Sequence, residues 1–179
     1  MPNWCYNTVR ISGHGNYKVE KLMEAVKGKK VEQDGKEYQA PFSFNSIVPM
    51  PEDIRRTTSP NRILATQEEV DTYNDTEGQD VEWFSAANTQ EQVDALQEKY
   101  GVTNWYDWAI KNWGTKWDLN AFHDDTQVDY HEDANEVTYR FDTAWSPPQL
   151  VHEALVEQYP AVNISWHYDE PDMEFSGYL

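Results

Sequence analysis

The sequence predicts an α+β fold in which two helices lie on one face of an antiparallel sheet in the split βαβ arrangement. A largely helical insertion at residues 52–103 interrupts a single domain spanning residues 1–179. Three observations lead there. Residues 3–13, 137–145 and 162–169 alternate side chains with the period of two that a strand imposes. Two segments have one apolar helical face, Val19, Leu22, Met23 and Val26 at i, i+3, i+4 and i+7 within 19–28, and Val151, Ala154, Leu155 and Tyr159 within 149–159, and each stands between strand signals. Residues 52–103 are polar and acid-rich, with only weak helical periodicity, unlike the sequence on either side.

In the first strand Cys5, Asn7, Val9 and Ile11 share one side, and Trp4, Tyr6, Thr8 and Arg10 the other. Asn16 is in place to cap a helix carrying Val19, Leu22, Met23 and Val26 up to Gly28. A basic, glycine-punctuated turn or loose hairpin is expected over residues 27–36. A second strand is expected over 42–48, ended by Pro49 and Pro51.

Within the insertion, Thr66 with Glu69 and Thr89 with Gln92 form the Ser/Thr-x-x-Glu/Gln capping pattern. Helices are expected over 67–73 and over 90–100, the second stopped by Gly101. Residues 104–118 then hold four of the chain's eight tryptophans. Asn104 is a good N-cap, with Asp107 three residues on, and Gly114 is a good stop. Trp105, Trp108, Ala109 and Trp113 share one face, opposite the i,i+4 pair Asp107 and Lys111. Because a tryptophan buries roughly 200 Å², this helix is read as a core wedge. Asn112 projects among the tryptophans, as a tie to a nearby strand end or loop or as a ligand contact.

Short strands are expected over 116–123 and 127–131, with a turn at 133–135. Ser146, Pro147 and Gln149 read as N-cap, first helical residue and capping-box partner of a helix ending before Pro160. The last strand follows, and the acidic end adds a short edge or a tail. Strand, helix, strand, insertion, strands, helix, strand is the ferredoxin-like order.

Four blocks carry a resemblance. They are Pro-Asn-Trp-Cys-Tyr-Asn at 2–7, Phe-Ser-Phe-Asn-Ser-Ile-Val-Pro-Met-Pro at 42–51, Asn-Trp-Gly-Thr-Lys-Trp-Asp at 112–118 and Phe-Asp-Thr-Ala-Trp-Ser-Pro-Pro at 141–148. In this order they resemble the YubB-like family of phage- and plasmid-encoded proteins with a ferredoxin-like domain. The resemblance implies that fold and a mobile-element origin, and it brings no catalytic residues with it.

Charge narrows the function classes. Residues 1–62 carry ten Lys/Arg and seven Asp/Glu, whereas 63–179 carry four and twenty-five, nets of +3 and −21 that make up the total of −18. Such a chain repels nucleic acid and anionic membrane. No apolar run reaches the roughly 18 residues of a membrane span, and no leader pattern opens the sequence, so a soluble intracellular protein is expected, and the resemblance to phage- and plasmid-encoded proteins implies the cytoplasm of a bacterial host cell. The one cysteine, Cys5, falls on the apolar side of its strand and reads as a packing thiol rather than a nucleophile.

No phosphate loop, dinucleotide fingerprint, Gly-x-Ser-x-Gly or His-Glu-x-x-His is present. His123, Asp124, Asp125, Asp129, His131, Glu132 and Asp133 are dense in oxygen and imidazole but follow no ligand frame, so no metal and no cofactor are expected. Trp4, Asn7, Asn112, Trp113, Lys116, Trp117 and Trp145 are either the packing centre or an aromatic ligand pocket, with Lys116 covering an indole face. Arg55, Arg56, Arg62, Lys27, Lys29, Lys30 and Lys36 read as a solvated rim.

The leading expectation is a non-catalytic phage or mobile-element protein. Its acidic surface, centred on Asp124, Asp125, Asp129, Glu132 and Asp133, would bind a basic, nucleic-acid-binding host protein and block it, a form of DNA mimicry. The alternatives are a small-ligand module or metal-dependent enzyme using the Trp-rich or His/Asp residues, and a homo-oligomer paired through its sheet.

Overall fold

The computed structural model describes residues 3–77, 86–120 and 126–179. Residues 1–49 and 112–179 form one compact unit and residues 50–111 a second, so the second unit takes in the expected insertion and nearly all of the tryptophan helix.

The first unit is built on a five-stranded sheet. Its strands are β1 (Trp4–Gly13), β4 (Gln127–His131), β5 (Glu136–Ala144), β6 (Val162–Glu170) and β7 (Phe175–Tyr178), in the order β4-β5-β1-β6-β7 with every neighbouring pair antiparallel. Helix α1 (Val19–Val26) follows β1, and α7 (Gln149–Gln158) joins β5 to β6. Leaving out the edge strand β7, this is the ferredoxin-like sheet. β1 lies at its centre, pairing Val9 with Tyr139 on one side and with Trp166 on the other.

Alternation decides the faces. Cys5, Asn7, Val9 and Ile11 are buried together with Val137, Tyr139, Phe141 and Trp166, and α1 and α7 add Val19, Leu22, Val26, Val151 and Leu155 to that core. An aromatic cluster fills its centre. Phe42 stacks on Phe141 at 5.4 Å and lies 5.0 Å from Tyr139, while Phe141 meets Trp166 edge-on at 5.7 Å. Burial pushes the Cys5 thiol up to about 11, which suits a packing side chain and not a nucleophile.

Three expected elements differ from the observed ones, each because of a polar contact from far along the chain. Residues 42–48 are not a strand: Phe44–Ile47 forms a short helix, α2. The Asp118 carboxylate accepts its first donors, Phe44 N at 2.6 Å and Asn45 N at 3.1 Å, and the turn buries Phe44 and Ile47 on one side. Residues 116–120 are likewise irregular rather than a strand, because Asp118 turns inward to make that cap; the rest of that expected strand lies outside the described residues. Ser146 does not cap α7, whose N-cap is Pro148, since its hydroxyl donates instead to Gly114 O at 2.6 Å.

The start of α1 also has a distant partner. Asn16 makes no cap. Asn135, in the β4–β5 turn, accepts from Val19 N at 3.0 Å and donates to Tyr17 O at 2.7 Å. Gly13 makes room for it, since a Cβ there would fall 2.3 Å from both Asn135 Nδ2 and Tyr17 O. The basic connection is a hairpin of β2 (Val31–Gln33) and β3 (Lys36–Tyr38), turning at Asp34 and Gly35, both with positive φ.

The second unit holds α3 (Glu52–Arg55), α4 (Gln67–Glu77), α5 (Gln90–Tyr100) and most of α6 (Trp105–Asn112). Both expected capping boxes are formed: Thr66 with Glu69 at α4, and Thr89 with Gln92 at α5, where Gly101 closes the helix at φ 68°. Asn104 caps α6 by accepting from Asp107 N at 2.9 Å, while Thr57 accepts from Trp105 N at 2.8 Å.

Candidate interaction surface

The four sequence blocks meet at one end of the first unit. Trp113 Nε1 donates to Val48 O at 2.9 Å, Thr115 Oγ1 to Ala144 O at 2.9 Å and Trp145 N to Asn3 O at 2.9 Å. Ser43 Oγ donates to Asp118 at 2.7 Å, and Leu119 N does so at 2.8 Å. Gly114, at φ 87°, lies close enough to the start of α7 that a Cβ would meet Gln149 N at 3.2 Å. The residue types in these blocks are those needed to fasten loops to a sheet end. Burial pushes the Asp118 carboxyl above its ordinary value, against the pull of its four donors.

This arrangement divides the seven residues of the aromatic set. Asn7 is buried, and both ends of its amide are used inside the fold: Nδ2 donates to Cys5 O and Thr143 Oγ1, each at 2.9 Å, and Oδ1 accepts from Trp166 Nε1 at 3.0 Å. It pins three strands together and does not line a ligand pocket. Trp113 is buried against Phe44, at 6.1 Å. Asn112 is half-buried as the last residue of α6.

The packing-centre reading fails for the other tryptophans, because Trp4, Trp117 and Trp145 are 40%, 42% and 46% exposed. By strand parity Trp145 would lie on the same side as Phe141. The chain leaves the strand after Ala144, and a φ of 74° at Trp145 sends its indole outward. Lys116 Nζ sits 3.5 Å from the centre of the Trp117 ring, as the cation–π pairing requires.

The face of the sheet away from α1 and α7 is exposed. Tyr6, 50% exposed, lies in register between Asp142 of β5 and Asp169 of β6, both exposed. His167 and Tyr178 meet edge-on at 5.0 Å, and Arg10 pairs with Glu136 at 2.8 Å. Of the expected acidic surface, Asp129, Glu132 and Asp133 are exposed on the β4–β5 hairpin, with Asp129 3.4 Å from His131 Nε2. Asp124 and Asp125, like His123 of the expected metal-ligand cluster, lie outside the described residues. Among the described residues no three His, Cys, Asp or Glu side chains are grouped to hold a metal ion, and no helix is long and apolar enough to cross a membrane.

Sequence reasoning missed Glu170. It is fully buried at the end of β6, and its Oε2 accepts from Met173 N in the β6–β7 turn. Its place at the end of an alternating strand was visible; the turn that draws it inward was not.

Residues 112–179 match the family model for the ferredoxin-like domain in Api92-like proteins. The matched segment supplies β4, β5, α7, β6 and β7, whereas the central strand β1 and helix α1 come from the first 49 residues. The chain is also similar in fold to the crystal structure of protein api92 from Yersinia pseudotuberculosis, with a TM-score of 0.54 and 13% identity over 99% of this chain and 93% of that one. A search of curated proteins finds no match. The matched segment holds fourteen acidic and two basic residues, a net of −12. Among the described residues of this segment, Asp118 serves as a cap, Glu170 is buried in the core and Glu136 pairs with Arg10.

Proposed function

We propose that this is a non-catalytic accessory protein of a phage or plasmid, acting in the cytoplasm of a bacterial host. Its acidic surface binds and blocks a basic, nucleic-acid-binding host protein, with defence against phage as the natural setting. The observation that carries the reading is the display of carboxylates on the matched segment. Asp129, Glu132, Asp133, Asp142, Asp169, Asp172 and Glu174 are all exposed, on regular strands and tight turns. Carboxylates held on such a scaffold present a basic partner with the same field that draws it to phosphates, and lose little side-chain freedom on binding. The four-block resemblance supports the mobile-element setting.

The test uses Asp129→Asn, Glu132→Gln and Asp133→Asn together, titrated against a lysine- and arginine-rich peptide by calorimetry. Affinity at low salt is expected to fall about tenfold or more, and the difference from the parent should shrink as salt screens the remaining charges. Equal affinity of the two proteins at low salt would remove this hairpin from the interface.

A further inference from the structure

We infer that the exposed tryptophans at the end of the sheet are an arginine-binding anchor. Trp4, Trp145 and Trp117 take guanidinium groups of the basic partner, and Asp142 and Asp169 stand nearby beside Tyr6. This inference rests on the binding function proposed above and names the chemistry by which the partner is held.

The first support is the conformation of Trp145. A bulky residue at φ 74° is strained, and glycine would hold the same turn without strain. Nearly half of the residue is nonetheless left open to solvent. The backbone around it is fixed on both sides: its own amide donates to Asn3 O, Ala144 O accepts from Thr115, and Thr143 Oγ1 donates to Ser146 O at 2.8 Å. These bonds hold the backbone that carries the indole outward.

The second support is convergence. Trp4 pairs in register with Ala144, Trp145 follows Ala144, and Trp117 lies two residues beyond Thr115, which bonds to Ala144. Trp4 and Trp145 are therefore fastened at one point of the backbone, and Trp117 is two residues along the chain from a third residue bonded there. Exposed aromatic groups of this size, on rigid supports, are what interface hot spots are made of.

Charge then selects the occupant. A phosphate-bearing ligand meets a chain of net charge −18, with Asp142 and Asp169 exposed on the same face as Trp4 and Tyr6. A cation meets ring faces and carboxylates that both attract it. The Lys116 ammonium over Trp117 shows that a cation already rests on one of these rings. Arginine suits the site better than lysine, because its planar, weakly hydrated guanidinium stacks on an indole while bonding to a carboxylate.

The test compares nona-arginine with nona-lysine, binding being read from the tryptophan indole N–H signals and by calorimetry. Nona-arginine is expected to bind at least tenfold more tightly and to shift the signals of Trp4 and Trp145. Trp145→Gly is expected to stay folded, with relief of the positive φ offsetting part of the lost packing, and to lower nona-arginine affinity about tenfold, with little change for nona-lysine. A purely structural tryptophan would give the opposite pattern. Trp4→Ala serves as a second variant should Trp145→Gly fold poorly. The inference falls if both tryptophan variants bind nona-arginine like the parent, if single-stranded oligothymidylate shifts the same indoles, or if a dimer in solution covers them. If nona-arginine binds through the hairpin carboxylates alone, the anchor is wrong and the proposed function stands; if neither peptide binds, both fall.

Discussion

Replacing Asn7 by alanine is expected to destabilise the fold by about 3 kcal/mol and to lower the melting temperature by roughly 6–12 °C. The size follows from where the amide sits. Asn7 is at the centre of β1, the strand between β5 and β6, and its three hydrogen bonds reach Cys5, Thr143 and Trp166. Alanine leaves the Trp166 indole N–H buried without its acceptor and opens a void among tightly packed aromatic rings. Asn7→Asp is expected to be at least as damaging: one oxygen still accepts from Trp166, but the other faces the Cys5 carbonyl and puts a charge in the core. Thermal unfolding by circular dichroism measures both. A loss below about 1 kcal/mol for Asn7→Ala would mean that the three strands do not depend on this amide.

Asp118→Ala is the second large effect, with an expected loss of about 3 kcal/mol or more. Four donors converge on this carboxylate: Ser43 Oγ, Phe44 N, Asn45 N and Leu119 N. Alanine removes the acceptor for all of them, and the helix Phe44–Ile47 loses its N-terminal cap. That helix positions Phe44 and Ile47 in the core, so fraying there should reach Trp113, which packs on Phe44. Asp118→Asn is expected to cost less, since it keeps one acceptor oxygen and removes the burden of a desolvated charge. Denaturant unfolding ranks the three proteins, and tryptophan emission reports whether Trp113 becomes exposed. Equal stability of parent and Asp118→Ala would show that the donors find water or other partners freely.

Most of the sheet was legible because its signals are local. The alternation in β1, β5 and β6 and the helical periodicity of α1 and α7 need only neighbouring residues, and both capping boxes of the second unit are four-residue patterns. What could not be read depends on distant partners. Residues 42–48 contain Phe-Ser-Phe, which fits a strand; only Asp118, more than seventy positions on, turns them into a helix. Ser146 carries every local mark of an N-cap and is diverted by Gly114.

The candidate surface shows the same division. Trp4 is on the outer side, as the parity of β1 places it, whereas Trp145 escapes the parity of β5 through one positive φ just past the strand end. Asn7 and Trp113 belong to the aromatic set by composition, and their hydrogen bonds assign them to the interior. The charge needed no structure to be noticed. The structure adds that Asp118 and Glu136 are used in folding and that other acids are exposed on the hairpin and the outer face of the sheet.

The central claim, that the displayed carboxylates bind a basic nucleic-acid-binding protein in place of nucleic acid, is tested most directly by competition. The full chain is immobilised and exposed to bacterial lysate freed of nucleic acid, and duplex DNA is then added to the retained protein. The expected result is a basic protein that moderate salt releases, that duplex DNA displaces at concentrations near its own affinity for that DNA, and that the hairpin-neutralised variant fails to retain. A retained protein that DNA does not displace and that the neutralised variant holds equally well would contradict it.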